Sequence, residues 1–151
     1  MVEKLSPLML GICLIAGLSS CATTDDTLHE AVIEGDSSAL VTLVAQEEAN
    51  LDATDKKGQT PLHLASIAGD LMAVAALLNA DAAIDLPDKE GRTALHYGVL
   101  SMNPDLVAML LAAGASPYSE DKKGITPVQL AQEGDESMAQ IIASSLNLPN
   151  S

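Results

Sequence analysis

Three histidines, His29, His63 and His96, are the residues of this 151-residue sequence whose type and spacing could do chemistry. Imidazole nitrogens bind zinc and transfer protons near neutral pH. Two ring nitrogens on one zinc ion must lie within about 4 Å of each other, because each zinc–nitrogen bond is about 2.0–2.1 Å long. Whether these histidines could share a metal ion therefore depends on the elements that carry them.

Other arrangements that support catalysis are absent from the sequence. There is no Ser/His/Asp or Cys/His combination, no glycine-rich phosphate loop and no EF-hand spacing. Acidic residues are abundant, and two carboxylates could meet by chance, but charge on a solvated surface is the simpler interpretation. We therefore predict a protein that is not an enzyme, with no catalytic residue, bound metal, cofactor or small-molecule substrate.

An internal repeat determines which elements carry the histidines. Residues 55–65 read Asp-Lys-Lys-Gly-Gln-Thr-Pro-Leu-His-Leu-Ala, and similar stretches begin at Asp88 and Asp121, each 33 residues after the last. A fixed period of this size is typical of a solenoid, in which one short unit stacks on its neighbours. Stacked helical units lie about 10 Å apart, so histidines in successive units are too distant to share a zinc ion.

One unit can be interpreted from local physics. Thr60 can cap a helix, and Pro61 suits the first helical turn, where a missing N–H costs nothing. Gly69 can take the left-handed conformation that ends this helix. A second helix is predicted over residues 71–79. The following segment, residues 82–91, is predicted to project sideways as a hairpin-like finger.

The 33-residue units resemble ankyrin repeats. The shared features are an Asp-x-x-Gly-x-Thr turn, the Thr-Pro-Leu-His-Leu-Ala helix start at 60–65, the Gly69-Asp70 link, and paired leucines at 77–78 and 110–111. The resemblance covers residues 27–148. It implies an all-α ankyrin-repeat solenoid of about four helix-turn-helix units with β-hairpin-like finger loops, the units spanning about 27–58, 59–91, 92–124 and 125–148.

The resemblance also implies roles for particular side chains. Each histidine is expected to tie its helix start to the adjacent turn by hydrogen bonds. Ankyrin proteins bind partners mainly through finger tips and the concave face of the first helices. Tyr97 stands out because tyrosine is enriched at binding hot spots, although partial burial between helices is the alternative. The candidate contacts are Lys56, Lys57, Gln59, Lys89, Arg92, Lys122, Lys123 and Ile125 on the tips, and Ser66, Ile67, Tyr97, Leu100 and Ser101 on the concave face.

The third unit departs most from the pattern. Met102-Asn103-Pro104 stands where the second unit has Gly69-Asp70-Leu71. Because a positive φ is costly for methionine, we expect Asn103 to take that conformation or the link to be reshaped. Gly98 should weaken its helix by up to about 1 kcal/mol, which predicts that this unit is the least stable. Asp81, where the third unit has Gly114, is expected to tolerate the left-handed turn.

The first 20 residues are predicted to be a secretory signal. The apolar run from Leu8 to Leu18 is shorter than the roughly 20 residues that span a bilayer. Leu18-Ser19-Ser20-Cys21 resembles a bacterial lipobox, which implies lipidation of Cys21 and a short linker at 21–26. The alternative is an ordinary signal peptide cleaved near Ala22. The lipid anchor would face the periplasm, and Ala22 favours the outer membrane.

The charge pattern separates cations from anions. The formal net charge is −14, so nucleic acid is not an expected partner. After removal of the signal the basic residues number six, all in the finger turns: Lys56, Lys57, Lys89, Arg92, Lys122 and Lys123. Stacked fingers would form one basic stripe along an acidic body. The alternative is that these residues serve only the local chemistry of the turns.

These observations predict a non-catalytic protein-binding module anchored in the cell envelope by an N-terminal lipid. Its partner is an unidentified periplasmic or membrane-associated protein, which the module would hold, inhibit or protect; an immunity-type inhibitor of a toxic enzyme is one version. The alternative function is an envelope-structural or lipid-surface role, with the basic stripe on lipid head groups.

Overall fold

A computed structural model of the chain describes residues 24–46, 49–134 and 136–146. The predicted signal peptide at 1–20 and the predicted lipidation site Cys21 lie outside the described residues. No helix in the described ranges is both long and apolar enough to cross a bilayer.

The described residues form helices in four consecutive pairs and contain no strand, which confirms the all-α solenoid. Each pair consists of a first helix and a second helix joined by a short link. The helices are α1 (Thr24–Glu34), α2 (Ser37–Val44), α3 (Pro61–Ala68), α4 (Leu71–Asn79), α5 (Ala94–Leu100), α6 (Pro104–Ala112), α7 (Pro127–Gly134) and α8 (Glu136–Ser145).

The pairs stack in two layers. The first-helix layer contains α1, α3, α5 and α7, each in contact with the next, and the second-helix layer contains α2, α4, α6 and α8 in the same order. One continuous core lies between the layers, built from leucines that recur at the same position of successive units, such as Leu28, Leu62 and Leu95. Each unit thus covers the apolar side of its neighbour, as a repeat architecture requires.

The second unit follows the local signals in the sequence. The Thr60 hydroxyl accepts a hydrogen bond from the backbone N–H of His63, and Pro61 is the first residue of α3. Gly69 ends α3 with a φ of 70°. The predicted second helix at 71–79 is confirmed as α4, and Asp81 adopts the expected positive φ, 64°.

The link in the third unit differs from expectation. Met102, not Asn103, takes the left-handed conformation, with a φ of 54°. Asn103 is the N-cap of α6, with an extended backbone at φ −105°, and its side chain accepts a 3.2 Å hydrogen bond from the Leu106 N–H. Because capping requires that extended backbone, the positive φ falls on the preceding residue.

Two further sequence expectations concern α1 and α5. Helix α1 begins at Thr24, so residues 24–26 of the predicted linker belong to the first helix. Gly98 lies in α5, where an added Cβ would lie 3.1 Å from Cδ1 of Leu110 and 3.6 Å from Cγ2 of Val107. The glycine therefore allows close packing of α5 on α6, and the lower stability of this unit stays a prediction.

Candidate functional site

The tip of each predicted finger, called the finger from here on, is a five-residue loop that an aspartate closes by hydrogen bonds. In the finger at residues 88–92, Oδ1 of Asp88 accepts hydrogen bonds from the backbone N–H groups of Glu90 (2.8 Å) and Arg92 (2.9 Å). Asp55 and Asp121 make the equivalent pairs of bonds in the fingers at 55–59 and 121–125. The aspartate of the recurring Asp-Lys-x-Gly pattern thus has a local structural role, in which the lysine side chains take no part.

The fingers are joined to one another by backbone hydrogen bonds. The Lys89 N–H donates to the Lys57 carbonyl at 3.0 Å, and the Lys122 N–H donates to the Glu90 carbonyl at 2.9 Å. The close contact between the fingers at 88–92 and 121–125 requires glycine at position 91. Its φ is 78°, and a Cβ there would lie 2.9 Å from the Lys122 nitrogen. The fingers therefore stack in register, which places the six predicted cations along one edge.

The charge of this edge is smaller than the count of cations suggests. Five lysines are exposed, whereas Arg92 is half-buried, with Nε 3.8 Å from Oδ2 of Asp121 and its guanidinium 5.9 Å from the Tyr97 ring centroid. Two exposed carboxylates, Glu90 and Glu120, stand among the lysines. The free cations of the edge are Lys56, Lys57, Lys89, Lys122 and Lys123, and Nζ of Lys89 also donates to the Lys56 carbonyl at 2.8 Å.

The histidines connect consecutive units, as the sequence predicts. Nδ1 of His63 accepts a 3.0 Å hydrogen bond from the Thr60 N–H, so Nε2 carries the proton and donates to the Arg92 carbonyl at 2.9 Å. His96 makes the same bonds one unit later, and Nε2 of His29 lies 2.9 Å from the Gln59 carbonyl. Burial lowers the pKa of both His63 and His96. Each histidine is thus fixed as a structural donor.

The described part of the chain holds no group of three His, Cys, Asp or Glu side chains that could bind a metal ion. The same residues leave no buried side-chain nitrogen or oxygen without a hydrogen-bond partner.

Tyr97 lies at the centre of a polar cluster between two fingers. Its hydroxyl donates to Oδ2 of Asp88 at 2.6 Å and accepts from Nε2 of Gln59 at 3.1 Å. The ring packs edge-on against His63, with centroids 5.9 Å apart. Burial raises the pKa of Asp88, but hydrogen bonds from Tyr97, Arg92 and Glu90 together hold that pKa below its ordinary value. The Tyr97 ring is half-buried, so both interpretations of this residue retain support.

Two of the predicted contact residues are not on the surface. Gln59 is 7% exposed and its amide donates to the Tyr97 hydroxyl, and Ser66 is 0% exposed and its hydroxyl donates to the Leu62 carbonyl inside α3. Ser66 therefore offers no surface to a partner, and Gln59 offers very little. Ser101 and Ile125 are half-buried.

The first-helix layer instead presents a row of exposed apolar side chains. Ile33, Ile67 and Leu100 occupy the same position of α1, α3 and α5, and are 72%, 46% and 49% exposed. We call these three residues the apolar row. Sequence reasoning missed Ile33, although aligning the repeats would have shown it in register with the other two. A second set, called here the inner row, lies one helical turn earlier and is half-buried: Leu64, Tyr97 and Leu130.

The second-helix layer has a different apolar feature. An open groove of about 390 Å³ lies between α2 and α4 and is lined mainly by alanine, valine and Met72. Its exposed side chains do not recur at equivalent positions of successive units, so it lacks the regularity of the apolar row.

Comparison with known families agrees with this architecture. A family model described as ankyrin repeats (3 copies) matches residues 28–121, more than half of the chain. The chain belongs to the ankyrin-repeat family. Ankyrin repeats generally mediate protein–protein interaction, and proteins built from them are typically non-enzymatic. The match ends before α7 and α8, which the structure adds as a fourth helix pair.

Proposed function

We propose that this chain is a non-catalytic binding module that holds a protein partner against the fingers and the exposed face of the first-helix layer. The observation that carries the proposal is the apolar row, exposed in three consecutive units and bordered by rigid, stacked fingers. Exposed apolar side chains that recur in register form a continuous patch, and such patches mark interaction sites. Backbone hydrogen bonds already join the fingers beside the row, so little reorganisation of the fingers is needed on binding.

We also propose that the module is anchored by lipid on Cys21 and faces the periplasm, with the outer membrane favoured by Ala22. The support is the apolar run ending in Leu18-Ser19-Ser20-Cys21. The anchoring test is Cys21→Ala in cells, followed by fractionation. We expect the variant to lose its association with membranes and appear in the soluble fraction. Equal membrane retention of both proteins would contradict lipid anchoring.

The binding test is photocrosslinking in cells with a photoreactive residue at position 100. Position 72 is the matched control, because Met72 is 67% exposed but belongs to the second-helix layer. We expect a discrete crosslinked protein from position 100 that is absent from position 72. No product from position 100, or identical products from both positions, would reject this surface as the binding face.

A second candidate function is contact with anionic lipid head groups through the finger edge, for which the observation is that its five exposed lysines outnumber the two exposed carboxylates among them, Glu90 and Glu120. Binding of the full chain to phosphatidylglycerol vesicles, lost at high salt, would favour this candidate. Absence of vesicle binding at low salt would exclude it.

A further inference from the structure

The apolar row and the inner row form one strip across the first-helix layer. Residues three apart on a helix lie on the same face, so Leu64 adjoins Ile67, and Tyr97 adjoins Leu100. Helices α3, α5 and α7 each begin directly after a finger, and the apolar row lies about 10 Å further along α3 and α5, at 1.5 Å per residue. The order from the finger edge is therefore exposed lysines, then the inner row, then the apolar row.

Carboxylates border the strip in the first and fourth units. Glu34 and Asp36, the N-cap of α2, lie beyond Ile33 in the first unit, where Glu30 holds the inner-row position, and Glu133 holds the apolar-row position in the fourth unit; all four are exposed. Every Lys and Arg from residue 24 onward lies in the fingers, so no cation offsets these carboxylates. The strip is thus an apolar surface with a cationic edge at the fingers and, in the first and fourth units, an anionic edge.

We propose that the strip binds an amphipathic helix of a partner protein, with acidic residues along the side of its apolar face that meets the fingers. This proposal rests on the proposed binding function and specifies the partner's chemistry. The apolar row repeats about every 10 Å across stacked helices, and seven residues of a helix span about 10.5 Å. Apolar residues at i, i+7 and i+14 therefore match Leu100, Ile67 and Ile33, and those at i+3 or i+4 reach the inner row.

The anionic edge is the reason for choosing a protein helix over a membrane. A flat anionic bilayer that met the finger lysines and the apolar row would also approach Glu34 and Glu133, which it would repel. A helix can place acidic residues on one side of its apolar face and neutral or basic residues on the other. Only the helix satisfies both edges at once.

The test uses the full chain as isolated from cells and three 18-residue fluorescent peptides, compared by anisotropy. The first peptide has leucines at i, i+3, i+7, i+10 and i+14 with glutamates on one flank. In the second peptide lysine replaces each glutamate, and the third has the first peptide's composition with the leucines scattered. We expect the first peptide to bind at least tenfold more tightly than either of the others, and several-fold more weakly when NaCl is raised from 50 to 300 mM.

Variants locate the binding. Leu100→Glu should remove the tighter binding of the first, acidic peptide relative to the other two. The double change Lys57→Glu with Lys122→Glu should weaken binding of the acidic peptide at least fivefold. Met72→Glu, an equal change at an exposed apolar residue of the second-helix layer, should leave it unchanged. Equal binding of the three peptides, no binding of any, or an equal effect of Met72→Glu and Leu100→Glu would overturn the proposal, as would vesicle binding that the double change abolishes.

Failure of this inference is distinguishable from failure of the binding function. If position 100 crosslinks a discrete protein that has no acidic amphipathic helix, the helix proposal is overturned and the binding function stands. If position 100 gives no specific crosslink, both are overturned.

Discussion

The hydroxyl of Tyr97 donates a 2.6 Å hydrogen bond to Oδ2 of Asp88, which joins the first helix of the third unit to the finger that precedes it. The same hydroxyl accepts from Gln59, at the end of the finger one unit earlier. One side chain therefore holds two fingers in position while its ring contributes to the exposed strip. The predicted role of Tyr97 in binding and its partial burial are compatible, because the buried hydroxyl fixes the orientation of the accessible ring.

Removal of that hydroxyl should weaken the fold. Tyr97→Phe leaves Oδ2 of Asp88 and the Gln59 amide without their partner in a mostly buried site. We expect a loss of about 1–3 kcal/mol in the free energy of unfolding, measured by urea denaturation. The control is Tyr118→Phe, at a residue that is 58% exposed, which should change it by less than about 0.5 kcal/mol. Equal effects of the two changes would contradict the assigned hydrogen bonds.

Mild acid should destabilise the protein through its histidines. Burial lowers the pKa of His63 and His96 in the folded protein below 6.5, their value in an unfolded chain. The unfolded state therefore binds more protons once the pH falls below about 6.5, and stability decreases as the pH falls from there through the lowered pKa values. Each histidine contributes a slope of up to about 1.4 kcal/mol per pH unit. Urea denaturation at a series of pH values between 7.5 and 5 measures this slope.

The control for the acid effect is the double change His63→Gln with His96→Gln. Glutamine occupies this position in the fourth unit, where Oε1 of Gln129 accepts a 2.9 Å bond from the Thr126 N–H. The variant should be less stable at pH 7.5 and should lose most of the pH dependence above pH 5. The pKa values of Asp88 and Asp121 are also lowered, so stability that depends on these carboxylates is lost only below about pH 4. An unchanged slope in the variant would assign the acid effect to other groups.

A substitution at Met102, in the link between the two helices of the third unit, should increase stability. Met102 holds a φ of 54° with an exposed side chain, so Met102→Gly relieves backbone strain while removing little packing. We expect an increase of up to about 1 kcal/mol in the free energy of unfolding. Ser101→Gly is the control, because Ser101 has a right-handed φ of −73° and glycine there should destabilise. Stabilisation by Ser101→Gly, or destabilisation by Met102→Gly, would show that strain at this link is not the determining factor.

Substitution of two finger glycines distinguishes the free-energy cost of disturbing the finger-to-finger contact from that of backbone strain. Gly91 and Gly124 have similar φ values of 78° and 74°, but an added Cβ meets the Lys122 backbone only at Gly91 and nothing within 4 Å at Gly124. Both Gly→Ala changes should destabilise by about 1 kcal/mol from the positive φ. Gly91→Ala should cost at least a further 1 kcal/mol, measured by thermal and urea denaturation. Equal costs would mean that the finger-to-finger contact is easily adjusted.

The sequence predicts the fold well because the same local signals recur with one period. Thr60, Pro61 and Gly69 define α3 through groups within the helix itself, and a single unit therefore suffices to place its helices. The link at Met102 could not be predicted, because the choice between Met102 and Asn103 depends on whether the side chain of Asn103 caps α6. Capping of α6 therefore determines which of the two residues takes the positive φ, and the residue types of Met102 and Asn103 alone do not show it.

The candidate site could be predicted only in part, since exposure depends on neighbours in other units. The sequence places Gln59 at a finger tip, but its amide donates to the hydroxyl of Tyr97, 38 residues later, and is buried there. Ser66 satisfies its hydroxyl within α3 and is covered by the stack. Ile33 is the opposite case: it is not among the predicted contacts, but its position repeats that of Ile67 and it is 72% exposed.

The bonds that cross from one unit to the next link groups about one period apart: a histidine to a carbonyl, and a finger amide to a finger carbonyl. A gene duplication of one whole period would therefore recreate every junction at both new boundaries, and the protein could lengthen without redesign. In the fourth unit Gln129 stands in place of the histidine, and its Oε1 accepts from the Thr126 N–H of the same unit. Repeat number could therefore change by whole periods without altering the bonds that join one unit to the next.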